Sequence, residues 1–290
     1  MDENAGMVKA QYWHQTEDGK CKCELCPHAC EMPNGSSGLC GVRKNINGQL
    51  YATSYGEISA AALDPIEKKP LRLYKPGSKI LSIGSYGCNM KCPFCQNHDI
   101  SMTKPETQHV TAKTIAKTAA AMAPKGNIGL AYTYNEPLVS FEYVYECAKE
   151  VKSLGMDNIL VTNGSVSPDA FASLIELIDA ANIDLKGGSD FYRMAGGSHE
   201  LVRENIRRSA GKCHVEVTWL AIPGENDSDQ EMDEAASFLA SIDKAIPLHI
   251  TRFFPKHKWA DREETSRETV LRLVDVAERR LENVFAGNMR

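Results

Sequence analysis

The chain has 290 residues, a net charge of -5, 42% hydrophobic residues and ten cysteines. This length suits one large α/β domain with an appendage. The acidic balance and the lack of a long basic tract argue against a nucleic-acid or membrane-surface partner. No apolar run is long enough to span a bilayer. Met1-Asp-Glu-Asn-Ala5 lacks the basic start and apolar centre of a secretory signal, so a cytoplasmic location is expected.

Residues 1–75 read as a small loop-rich region, rich in cysteine, glycine and proline. Cys23-x2-Cys26-x3-Cys30-x9-Cys40 offers four thiolates in a short span, with Cys21 and His28 as spare candidates. Such a segment has little apolar material to bury, so a bound metal would supply folding free energy it lacks. Zinc and an iron-sulfur cluster fit the spacing equally, and either would fill its coordination shell and serve a structural or electron-relay part. In a reducing compartment these cysteines are expected as metal ligands and not as disulfides. Tyr74-Lys-Pro-Gly77 reads as a turn, which puts a boundary near residue 76.

Beyond that turn, short apolar runs alternate with amphipathic stretches. Strands are expected at Ile80–Ser85, Ile128–Tyr134, Asn158–Val161, Asn182–Leu185, His214–Ala221 and Leu248–Phe253, with an edge segment at Phe285–Asn288. Pro137 opens a predicted helix running to about Ser153, Gly155 ends it, and Ser167-Pro168 is a cap and first-turn pair. Six β-α units imply parallel strands in an incomplete (β/α)6 barrel over 76–290, in which reactive residues belong at the carboxyl ends of the strands.

The first strand runs into Ser85-Tyr-Gly-Cys-Asn-Met-Lys-Cys-Pro-Phe-Cys-Gln-Asn97, which sets Cys88, Cys92 and Cys95 in a C-x3-C-x2-C spacing. A [4Fe-4S] cluster normally takes four cysteines, so three on one tight loop leave one iron open to a small molecule. Structural zinc sites read as paired C-x2-C knuckles, and neither they nor ferredoxin loops have this three-residue first gap.

At these residues the sequence resembles the radical S-adenosylmethionine (radical SAM) superfamily. The Cys-x-Leu-Cys-Pro-His-x-Cys opening, Cys40-Gly-Val-Arg43, Asp64-Pro-Ile-Glu-Lys-Lys-Pro70, Phe94-Cys-Gln-Asn97 and Asn135-Glu-Pro137 resemble the AmmeMemoRadiSam-system members of it. Those proteins are similar to the activases of pyruvate formate-lyase and other glycyl-radical enzymes. The resemblance implies a partial TIM-like barrel and an enzyme with an oxygen-labile cluster, hence an anaerobic setting. It implies reductive cleavage of S-adenosylmethionine to a 5′-deoxyadenosyl radical that abstracts hydrogen from a substrate, with a protein among the candidates. An electron donor such as flavodoxin or ferredoxin is implied as well.

Carried onto this chain, the resemblance makes Cys88, Cys92 and Cys95 the cluster ligands and places Phe94 beside the cofactor. Thr162, Asn163, Asp184 and Lys186 then line the ligand pocket, and His249 and Arg252 are the last cofactor-side positions. Asn135 and Glu136 stand where many activases carry Gly-Gly-Glu. They are either acceptors for the ligand's ammonium group or simply a helix entrance, with Asn135 capping. Asp184 and Lys186 either face a ligand or pair with each other, and His249 alone on a strand also reads as a satisfied core residue. Cys147 and Cys213 read as small buried apolar residues, and Tyr134, Tyr143 and Tyr145 as ordinary amphipathic ones. A reading from another class is a non-catalytic iron-sulfur or zinc protein that carries electrons or binds a partner.

Overall fold

The computed structural model describes residues 7–289, so the N-terminal Met1–Ala5 stretch lies outside the described residues. An eight-stranded sheet forms the centre. Its strands in chain order are β1 (Ala60–Pro65), β2 (Lys79–Gly84), β3 (Asn127–Tyr132), β4 (Asp157–Thr162), β5 (Ala180–Asp184), β6 (His214–Ala221), β7 (Leu248–Arg252) and β8 (Val284–Gly287). Each pairs with its sequence neighbour, and only β1 against β2 is antiparallel. β1 and β8 are the two edges, so the barrel is open.

The interior strands are largely buried on both faces because helices cover the outer one. α1 (Ala112–Ala121), α2 (Phe141–Ser153), α3 (Pro168–Ile175), α4 (Ser189–Ala195), α5 (His199–Ser209), α6 (Asp229–Ala240) and α7 (Arg267–Ala277) supply that cover. Serine starts several of them: the hydroxyls of Ser167, Ser198, Ser228 and Ser266 each accept the backbone N–H three residues on. Pro137 begins a 3-10 turn to Ser140 that passes directly into α2.

The six expected strands are present, and β8 takes the place of the expected edge segment. β1 differs. It lies before the boundary placed near residue 76, yet it pairs along its whole length with β2, so the barrel sheet begins near residue 60.

The segment between β1 and β2 closes the amino end of the barrel. Ile66 and Leu71 pack with Ile80, Ala131, Ile159 and Ala180 in a small buried cluster. Asn182 Nδ2 donates to Pro70 O at 2.9 Å, and the N–H groups of Arg72 and Leu73 donate to Glu216 at 2.9 and 2.8 Å.

The N-terminal region is more ordered than its composition suggests. It holds two three-stranded antiparallel sheets, and Leu25, Met32 and Leu50 join the main core. Arg43 reaches the barrel through a buried ion pair, donating to both carboxylate oxygens of Glu142 at 3.1 and 3.2 Å. Removing either partner strands a buried charge, a loss of about 3–5 kcal/mol.

Candidate active site

The loop leaving β2 carries Cys88, Cys92 and Cys95 over the carboxyl end of the barrel. Gly87 makes the turn with φ +87°, and a Cβ there would sit 2.6 Å from Val42 Cγ1 and 2.7 Å from Cys40 O. Only glycine fits both demands. The loop is held from several sides: Lys91 N–H donates to Ala195 O at 2.8 Å, and Lys258 N–H to Pro93 O at 2.9 Å. His28 Nε2 lies 2.6 Å from Asn89 O. Phe94 packs between Phe191 and Trp259, with ring centroids 5.6 and 5.4 Å away.

All three thiols line one cavity of ≈ 260 Å³, a little under the usual range for small-molecule sites. Phe94, Asn135, Glu136, Thr162, Asn163, Asp184 and Lys186 line it too, so seven of the nine expected cofactor-side residues share one mouth. No fourth cysteine is among its lining residues.

The strand ends organise this mouth through a connected polar network. Glu136 Oε1 accepts from Thr162 Oγ1 at 2.7 Å and from Leu138 N–H at 3.0 Å, and its Oε2 accepts from Asn163 N–H at 2.8 Å. Burial raises this carboxyl from 4.5 to about 7 in spite of those three donors. Asn163 Nδ2 donates to Asn89 Oδ1 at 2.8 Å and lies 3.8 Å from Cys88 Sγ. Lys186 Nζ meets Asp184 Oδ2 at 2.6 Å. Burial opposes the lysine's charge, but Asp184 and the Cys92 sulfur hold its pKa above the ordinary value. The internal pair and the cavity-lining placement are therefore both real.

Asn135 lines the cavity but does not cap the helical turn, and its amide is spent on the cysteine loop. Its Oδ1 accepts Ser85 N–H at 3.0 Å, and its Nδ2 donates to Tyr86 O and Gly87 O at 3.1 and 3.0 Å. Its amide thus shapes the turn into the cysteine loop, and Glu136 is the residue that caps the following helical turn.

Two expected residues do not reach the cavity. His249 sits at the amino end of β7, buried under the barrel floor with Nε2 2.5 Å from Glu216 Oε2. Arg252 is at the correct end but turns outward, donating to Thr265 O and Glu264 Oε1, both at 2.7 Å. Reading the sequence alone missed Asn89 and Asn226. Asn226 is fully buried and donates to Lys186 O and Leu220 O at 2.7 and 2.8 Å, which fixes the loop that carries Lys186. An asparagine inside a Pro-Gly turn after a strand was the available signal. Cys147 is buried as expected, and Cys213 is half-buried.

The thiols fit a cluster of the expected kind. Met90 N–H donates to Cys88 Sγ at 3.3 Å, a contact that favours bound thiolate. Burial pushes Cys92 up to about 11 and Cys88 higher still, so loading iron must displace protons. Among the described residues, no three Cys, His, Asp or Glu side chains converge on a single ion. Cubane ligands bind different irons and need no such convergence.

The family model of the Radical SAM superfamily matches residues 82–239, more than half of the chain. The chain belongs to the radical SAM superfamily. Membership implies a [4Fe-4S] cluster and S-adenosylmethionine, and it makes the chain an enzyme. An uncharacterized protein of Methanocaldococcus jannaschii is 34% identical over 98% of this chain and 86% of its own length. A putative glycyl-radical enzyme activating enzyme of the same organism is 25% identical over 70% of this chain and 79% of its own. A 4-hydroxyphenylacetate decarboxylase activating enzyme of Clostridioides difficile is 27% identical over 40% of this chain and 38% of its own. Among solved structures, a radical SAM methyltransferase from Sphaerobacter thermophilus matches with TM-score 0.57 and 13% identity over 98% of this chain and 78% of its own. At that identity the likeness is one of fold, and it agrees with the partial barrel. Among the described residues, no helix is long and apolar enough to cross a membrane.

Proposed function

We propose that this radical SAM chain holds a [4Fe-4S] cluster through Cys88, Cys92 and Cys95, cleaves S-adenosylmethionine reductively, and directs the resulting radical to hydrogen abstraction from a protein substrate. When bound, the cluster supplies the electron that splits the C5′–S bond of S-adenosylmethionine. The observation that carries this reading is the single cavity lined by three thiols and by a rim with both signs of charge.

The chain's own residues have separable tasks. Lys186 offers an ammonium group to a carboxylate. Asp184 and Glu136 face cationic groups, and Glu136 holds Thr162 and Asn163 in place. Phe94, braced by Phe191 and Trp259, covers one side of the cavity and limits water there. The activating-enzyme relatives support a protein substrate. A small flavodoxin or ferredoxin would supply the electron.

The test is anaerobic reconstitution with iron and sulfide, then dithionite and S-adenosylmethionine. We expect 5′-deoxyadenosine to form in the native protein and to drop to background in Cys92→Ala. Equal amounts from both would remove the proposal. Deuterium carried into 5′-deoxyadenosine from a labelled candidate protein then identifies the hydrogen donor.

A further inference from the structure

The N-terminal cysteines form a built site that the radical chemistry does not use. Cys23, Cys26, Cys30 and Cys40 all line one internal void of ≈ 20 Å³. Cys21 does not line it; it lies buried at the other end of the short strand that carries Cys23. His28 borders the void, but its Nε2 is engaged by Asn89 O.

Arg43 supplies an independent observation. It is 1% exposed and lines the same void. Its terminal nitrogens are taken by Glu142 and Gln11 O, yet its Nε has no hydrogen-bond partner. A buried N–H donor left open beside four thiols calls for an anionic occupant.

We propose that Cys23, Cys26, Cys30 and Cys40 hold a second iron-sulfur cluster, with all its protein ligands filled and the Arg43 Nε–H as a buried donor beside it. Zinc in a tetrathiolate shell draws its sulfurs to about 3.8 Å of one another, from metal–sulfur bonds of about 2.3 Å. Here, among the described residues, no three of the sulfurs converge on one ion. A four-cysteine iron-sulfur cluster spreads its ligands over several irons and needs no such convergence.

The test uses the full chain with the radical site removed, Cys88→Ser/Cys92→Ser/Cys95→Ser, reconstituted anaerobically. We expect iron and acid-labile sulfide in equal amounts, at about half the native content when both sites hold the same type of cluster. Adding Cys26→Ser and Cys30→Ser should take both to background while circular dichroism still reports a folded chain. If the added changes unfold the protein, mass mapping of the triple variant decides. Alkylation at Cys23, Cys26, Cys30 and Cys40 should then appear only after the iron is chelated. A triple variant without iron and sulfide overturns the proposal, as does one zinc per chain in their place. Because the radical site is absent from this variant, failure here leaves the cleavage of S-adenosylmethionine to be judged separately.

Discussion

The two ends of the barrel use the same residue types to opposite effect. At the carboxyl end, Glu136, Asp184 and Lys186 line a cavity and keep faces turned toward it. At the amino end, Glu216 is fully buried, and all its acceptor capacity is spent on His214, His249 and the N–H groups of Arg72 and Leu73. A carboxylate with every lone pair satisfied by its own chain is a fastening. One that shares its surroundings with open space is available to a ligand. Changes at the two ends should therefore separate, with carboxyl-end variants losing cofactor and amino-end variants losing stability.

The largest effect is expected where the cysteine loop is threaded. In Gly87→Ala the new Cβ must sit at φ +87° against Cys40 O and Val42, both fixed by the N-terminal region. Left-handed backbone and a contact with main-chain oxygen together cost at least about 3 kcal/mol. We expect a lower melting temperature and loss of iron from the Cys88 loop. Native iron retention in this variant would show that the loop is not held as described.

Next comes Glu216→Gln at the closed end. Burial works against this carboxylate, but the two histidines and the two backbone N–H groups prevail and lower it from 4.5 to about 2. With its pKa depressed in the folded state, its contribution is fully present above about pH 4.5 and is lost as pH falls toward 2. The glutamine variant should lose about 2 kcal/mol near neutrality. It should also unfold with a shallower dependence on pH between 4.5 and 2, measured by denaturant melts across that window. S-adenosylmethionine binding should stay native, and a selective loss of binding would blur the division between the ends.

These contrasts show what the residues disclosed before any coordinates. The interior strands were legible within a residue or two, because burial on both faces writes an apolar run such as Ile159-Leu-Val161. β1 was not, since Ala60-Ala-Ala-Leu-Asp-Pro65 is poor strand material and its proline is tolerated only because β1 is an edge. The cysteine loop was legible from spacing alone. The capping expected of Asn135 fails because its partners are main-chain atoms some fifty residues earlier, which leave no mark near it. His249 was placed at the mouth by resemblance, although it is only the second residue of β7 and so lies at the other end.

A smaller effect tests the open end alone. Lys186→Met removes the ammonium group 2.6 Å from Asp184 and leaves that carboxylate facing the cavity unpaired. We expect the affinity of the reconstituted protein for S-adenosylmethionine to fall about tenfold, or about 1.4 kcal/mol, by calorimetric titration. Iron content should be unchanged, because Lys186 is not a proposed ligand of the metal. Unaltered affinity would take Lys186 out of the binding site.

The smallest effect falls on the residue that moved from one end to the other. His249→Phe deletes one of the four donors to Glu216 and keeps a flat ring beside Phe285, whose centroid lies 5.4 Å from that of the imidazole. Three donors remain, so the loss should be about 1 kcal/mol in a denaturant melt. Affinity for S-adenosylmethionine should not change, since His249 is not among the residues that line the cavity. A variant that melts like the native protein but binds S-adenosylmethionine several-fold more weakly would return His249 to the cofactor and undo the distinction between a fastened end and an open one.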